Sequence, residues 1–141
     1  MIFSPSTEYA LHALIYLAEE NVSKPALVRE IAEAENIPRH FLAKILNQLD
    51  HRRIVKSTKG PGGGFTLARP AEKIKVSEVA GIFDDLTGLD RVCILGLDKC
   101  QDAHSCALHT EWKGFRQLLK KRINQLSIRD IQLMRQAKRK Q

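Results

Sequence analysis

One segment limits the possible folds more than any other: Lys59-Gly60-Pro61-Gly62-Gly63-Gly64, four glycines and a proline between two short β-prone stretches. No helix crosses such a run, because glycine and proline both break it. Ile54–Thr58 and Phe65–Ala68 are rich in β-branched or aromatic residues and partly alternate, so they read as the two strands of a hairpin. Glycines let the tip take positive φ values and come close to another backbone. A nucleotide-binding glycine loop would need Gly-Lys-Ser/Thr and a following helix with its dipole, and neither is present. A plain hairpin turn is the simpler alternative. The residues before the hairpin argue for more.

Ser4-Pro5 suits a helix start, and Leu11, Leu14, Ile15 and Ala18 then recur at helical spacing to about Glu20. After Lys24-Pro25 a second, short helix has Leu27, Ile31 and Ala34 as its inner face and ends near Asn36. Pro38 opens a third, with Phe41, Leu42, Ile45 and Leu49 as its buried stripe. Two helices joined so tightly form a helix-turn-helix candidate. The outer face of the third carries Arg39, His40, Ala43, Lys44, Asn47 and Gln48, side chains able to meet phosphates and base edges in a major groove. A strand pair directly after a recognition helix is a wing, and Lys59 and Gly60 place a charge and a close-approach point at its tip.

The formal charge of +7 is unevenly spread. Residues 37–75 carry nine basic and two acidic groups, residues 113–141 ten and one, and the segments between and before them are acidic. Two basic surfaces suit a polyanion, since phosphate neutralisation supplies most sequence-independent affinity for nucleic acid. Solvated helix faces and a basic tail are the bland alternative. The longest apolar run, Tyr9 to Ala18, includes His12 and is far short of the roughly 20 residues of a membrane span. No Lys or Arg precedes it, which argues against a signal peptide. The chain reads as cytoplasmic, with no membrane partner.

Val79, Ile82, Phe83 and Leu86 mark a further helix, stopped at Gly88. Leu108, Trp112, Phe115 and Leu119, continuing to Ile123 and Leu126, approach a coiled-coil seam, so a long helix is expected to pack against its twin in a homodimer. Ser127 with Asp130 resembles a capping box that restarts a last helix. The expected fold is mainly α: a winged helix-turn-helix with a two-stranded wing plus a long C-terminal dimerisation helix. Its divisions are 1–70 for DNA binding, 71–90 as a connecting helix, 91–107 as a cysteine loop, and 108–137 for the dimerisation and short terminal helices.

All three cysteines, Cys93, Cys100 and Cys106, fall within fourteen residues, and His109 follows three residues after the last. An odd count in a cytoplasmic chain points to metal or redox chemistry instead of a disulfide framework. Structural zinc usually shows tightly paired cysteines, whereas a wide polar loop suits a larger object such as an iron–sulfur cluster. Zinc and a thiol redox sensor remain alternatives. His109 leads as a fourth ligand; Glu8 and His12, neighbours on the first helix, follow, either within one chain or across a dimer. His40, His51 and His104 have only a surface role.

Glu8-Tyr9-Ala10-Leu11-His12-Ala13-Leu14, the segment Lys59 to Phe65, and Cys106-Ala107-Leu108-His109-Thr110-Glu111-Trp112 together resemble the bacterial family that contains IscR and NsrR. The resemblance reaches about residue 133. It implies a dimeric winged-helix regulator of transcription, many members of which sense through a cysteine-bound iron–sulfur cluster. It further implies Cys93, Cys100, Cys106 and His109 as ligands of a 2Fe–2S cluster, with 4Fe–4S as the other form. His40 and Ala43 fall at base-contacting positions, Lys59 at a wing residue of the minor groove, and Glu8 at an acidic ligand donated by the other subunit.

The sequence thus reads as a homodimeric repressor on a double-stranded DNA operator, without a small-molecule substrate, controlled by cluster status, nitric oxide or redox state. Its rivals are a cluster-free thiol regulator, a nucleic-acid-coating protein without sequence preference, and a small enzyme with Cys106 as nucleophile and His109 as base.

Overall fold

In the computed structural model, residues 3–19, 24–97, 99–103 and 105–141 are described. Helix α1 spans Pro5–Glu19, α2 Val28–Glu35 and α3 Arg39–His51. Proline begins α1 and immediately precedes α3, where a missing N–H costs nothing. Asn36 ends α2 with φ 54°, the left-handed conformation that closes a helix and turns the chain within two residues into α3. Strands β1 (Val55–Thr58) and β2 (Gly64–Leu67) pair antiparallel, with Val55 opposite Leu67 and Thr58 opposite Gly64.

The wing is pinned at both sides. Ala26 and Phe65 exchange N–H···O bonds of 2.9 and 2.8 Å, giving β2 a short partner from the segment before α2. Gly64 makes this approach: φ is +143°, and an added Cβ would lie 2.5 Å from the Ala26 carbonyl oxygen. On the other side, the Ser57 hydroxyl donates to Asp50 of α3 at 3.1 Å.

Helix α4 (Val76–Phe83) is followed by the cysteine loop, then α5 (His109–Gln125) and α6 (Ile128–Arg139). The expected capping box is present: Ser127 accepts from the Asp130 N–H, and Asp130 accepts from the Ser127 N–H and hydroxyl. Val76 donates to Leu126 and Ile128 to Ile74, each at 2.9 Å, so the α5–α6 junction is stitched to the chain entering α4. Leu14, Leu42, Leu49, Ile74, Val79 and Ile128 are all buried in one core. The core therefore runs past residue 70 and takes in α4 and α6, with α6 lying on α1.

Several details depart from the sequence reading. Phe41 is 50% exposed, and Leu46 takes its place in the α3 core stripe. On α2, Ile31 and Ala32 are buried while Leu27 and Ala34 face outward. Helix α4 stops at Phe83, not near Gly88, because Asp84 turns to extended backbone and caps the start of α1. Its carboxylate accepts from the Ser4 N–H and hydroxyl, each at 3.1 Å, and from the buried Thr7 hydroxyl. Along α5 the apolar seam divides. Leu108 and Phe115 face outward, as does Leu118 beside the expected seam, whereas Ile123 is buried within its own chain. The residues expected at the end of α1 (Glu20) and at the surface (His104) lie outside the described residues.

Candidate functional site

Two surfaces gather the residues singled out by sequence. On α3, Arg39, His40, Lys44 and Asn47 are exposed and Ala43 is half-buried, on the side opposite Leu42, Ile45, Leu46 and Leu49. Lys59 and Gly60 are exposed at the wing tip, where Gly60 has φ +88°. Arg52, Arg53 and Lys56, between α3 and the wing, are also exposed and share a groove with Arg69, Asp50 and Glu78.

The second surface is the cysteine loop. Cys100 donates its N–H to the Arg91 carbonyl at 3.0 Å, and Val92 bridges Lys99, so a small hairpin brings Cys93 and Cys100 to one end of α5. The Trp112 indole donates to the Val92 carbonyl at 2.7 Å and Arg116 to the Leu89 carbonyl at 2.9 Å, tying the loop to the helix. Cys93, Cys100, Cys106 and His109 all line one pocket of about 370 Å³. Within it they form two pairs. The Cys93 and Cys106 sulfurs are 3.7 Å apart, and Cys100 Sγ lies 3.2 Å from His109 Nδ1.

The loop backbone favours anionic sulfur. N–H groups of Leu97 and Leu95, with help from Cys106 and the Gly96 N–H, hold the Cys93 thiol below its usual range against the opposing effect of burial. His109 is 8% exposed, and its Nε2 lies 2.9 Å from Asp102, which Lys113 grips at 3.0 and 3.1 Å. These contacts, His109 first, keep the Asp102 carboxyl below the ordinary carboxylate value. Asp102 had no signature in the sequence: it sits in an aperiodic loop seven residues before His109.

All three cysteines are free. Two thiolates bound at about 2.3 Å to one tetrahedral metal stand about 3.8 Å apart, so the Cys93–Cys106 spacing suits a shared metal. Among the described residues, however, no three His, Cys, Asp or Glu side chains close on a single ion. The donor set fits two pairs around a larger body better than four ligands around one ion. Neither Glu8 nor His12 lines the pocket within one chain; both are exposed, and His12 Nδ1 instead faces Glu35 at 3.2 Å.

The sequence profile of the Rrf2 family, described as "Iron-dependent Transcriptional regulator", matches residues 3–133. The chain belongs to the Rrf2 family. An Aquifex aeolicus (strain VF5) relative named "Putative HTH-type transcriptional regulator" is 37% identical over 133 residues, covering 93% of this chain and 91% of its own. The regulator IscR of Xenorhabdus nematophila is 27% identical over 123 residues, 87% of this chain and 74% of IscR. Among solved structures, CymR of B. subtilis, a global cysteine regulator, superposes with TM-score 0.78 at 20% identity, covering 95% of this chain and 98% of CymR. T. potens IscR superposes with TM-score 0.73 at 19% identity, over all of this chain and 91% of that one. Rrf2 relatives of this kind are transcriptional regulators, not enzymes, and the mainly helical fold with its two-stranded wing is theirs. Among the described residues no helix is long and apolar enough to cross a membrane.

Proposed function

We propose that this Rrf2 regulator is a cytoplasmic homodimeric repressor that binds a double-stranded operator with an affinity set by an iron–sulfur cluster. The observation that carries this reading is the placement of Cys93 with Cys106, and of Cys100 with His109, as two ligand pairs on one pocket. Two pairs match a 2Fe–2S centre, in which each iron takes two protein ligands. A 4Fe–4S form would draw on the same cysteines, with Glu8 or His12 of a second subunit as the alternative fourth donor. The bound cluster would supply a one-electron couple and a target for oxidants or nitric oxide.

The remaining work falls to the chain. Residues 1–70, braced by α6, present Arg39, His40, Ala43, Lys44 and Asn47 to a major groove and Lys59 with Gly60 to the adjoining minor groove or phosphates. Leu108, at the start of α5, lines one exposed apolar groove with Trp112 and Phe115 of α5 and Ile94 of the loop, and Leu118 and Leu95 are exposed as well, a face suited to a second copy. Two copies joined there would read half-sites about 10–10.5 base pairs apart or a multiple of that. The loop meets α5 through Trp112, while the end of α4 meets α1 through Asp84 and α5 holds the segment before the loop through Arg116, so a change in the loop would reach the DNA-reading unit by way of α5 and α4. For control to follow, the cluster must bind the two dimer geometries unequally.

A second reading has its own support: Cys93 and Cys106 sulfurs at 3.7 Å are near enough for a cluster-free thiol switch. Anaerobic DNA-binding titrations at one fixed salt concentration, before and after chelation of the iron, separate the two. The cluster reading expects operator affinity to change at least tenfold on chelation, with random DNA unaffected. Equal affinities, with a change only on oxidation of the thiols, would favour the second reading.

A further inference from the structure

His109 reaches the cysteine pocket through Nδ1, while its Nε2 faces the Asp102 carboxylate at 2.9 Å. An ionised carboxylate only accepts hydrogen bonds, so Nε2 must carry the proton. In the neutral ring Nδ1 is then bare, and in the cluster-free thiol form it can accept from the Cys100 S–H at 3.2 Å. A bare ring nitrogen aimed among thiols is what a metal needs, and metal-bound histidines almost always donate their other N–H to such an outer partner. Lys113, one turn along α5 from His109, holds both Asp102 oxygens at 3.0 and 3.1 Å, so the carboxylate cannot swing away freely. Asp102 itself is three-quarters exposed and supports no core packing.

We propose that Asp102, steadied by Lys113, is a positioning residue that fixes the tautomer and orientation of His109 so that Nδ1 faces the cysteine pocket as a ligand. The role of that ligand rests on the cluster reading above, but the tautomer does not. Asp102 does not line the cysteine pocket; it acts through His109.

The test uses the full-length protein and the variants Asp102→Leu, Asp102→Glu and Lys113→Met. In cluster-free, reduced protein with ¹⁵N-labelled histidine, wild type should show His109 with a protonated Nε2 and a bare Nδ1. Asp102→Leu should shift both nitrogens toward tautomer-averaged values, and Asp102→Glu should restore them. Identical nitrogen shifts in wild type and Asp102→Leu would overturn the proposal whether or not any cluster binds. In anaerobically loaded protein, Asp102→Leu should release iron to a chelator about 10–100-fold faster, the usual cost of losing such a partner, with Lys113→Met between. Changed nitrogen shifts with unchanged release would overturn the ligand role while leaving the cluster reading standing. Wild type that takes up no iron would sink the cluster reading, and with it the ligand role, leaving the tautomer to be decided by the nitrogen shifts.

Discussion

Replacing Arg135 by Met tests how α6 is bound to the DNA-reading unit. The Arg135 guanidinium makes four hydrogen bonds of 2.8–2.9 Å, two to Glu19 of α1 and two to Glu35 of α2. The carboxylate side chains are only 10% and 6% exposed, so removing the cation leaves two largely buried anions facing each other. Breaking a fully buried pair costs roughly 3–5 kcal/mol. Here Arg139 still reaches Glu19, His12 still reaches Glu35, and the guanidinium is partly wet, so about 2–3 kcal/mol is the reasoned loss. At roughly 3 °C per kcal/mol for a chain of this size, Tm should fall by about 6–9 °C at fixed protein concentration. The pH dependence has a definite sign. Hydrogen bonding and charge from Arg135 hold the Glu19 carboxyl below its ordinary value of 4.5. Its contribution is therefore complete above that value and disappears as pH falls through the lower folded value. The wild-type advantage over Arg135→Met should shrink in that acid window. Adding Glu19→Gln to Arg135→Met should recover part of the loss. A Tm change below about 2 °C at neutral pH would refute the argument that these charges are desolvated.

Other perturbations address the remaining surfaces. Lys59→Ala should weaken binding to all DNA sequences and lower the salt slope by about one phosphate contact, measured as log affinity against log salt; an unchanged slope would remove the wing from the interface. Leu118, 66% exposed on α5, should when changed to Asp yield monomers by sedimentation without loss of helicity, because it supports nothing in its own chain. A dimer of unchanged strength would move the interface elsewhere. Gly64→Ala combines an unfavourable φ with a collision against Ala26, so denaturant unfolding should show a loss above about 1 kcal/mol; a neutral result would mean the wing is not pinned there.

What the sequence revealed, and what it hid, follows from the range of each interaction. The wing, the turn before Pro38 and the Ser127–Asp130 box are local devices, set by residues a few positions apart, and all were readable. Periodicity located most of the buried face of α3 but misplaced that of α2, where Leu27 and Ala34 face outward, and it did not say which neighbour would cover each face. Phe41 therefore looked buried when it stays 50% exposed, and Ile123 looked like part of a dimer seam when its own chain buries it. The contact of α6 with α1 includes Arg135 finding Glu19, 116 positions away, and Asp84 ends α4 by reaching back to Ser4 across 80. No spacing rule records such pairs. The cysteines and His109 were legible as neighbours in one loop; their gathering on one pocket as two pairs, and the carboxylate behind His109, came only from the folded loop.

Iron and acid-labile sulfide analysis of protein purified without oxygen, alongside its visible spectrum, tests the central claim most directly. The account expects coloured protein with about two irons and two sulfides per chain, and Ser substitution of Cys93, Cys100 or Cys106 should each abolish the colour. Colourless protein carrying one zinc per chain, or a wild-type spectrum that survives loss of any one of the three thiols, would contradict it.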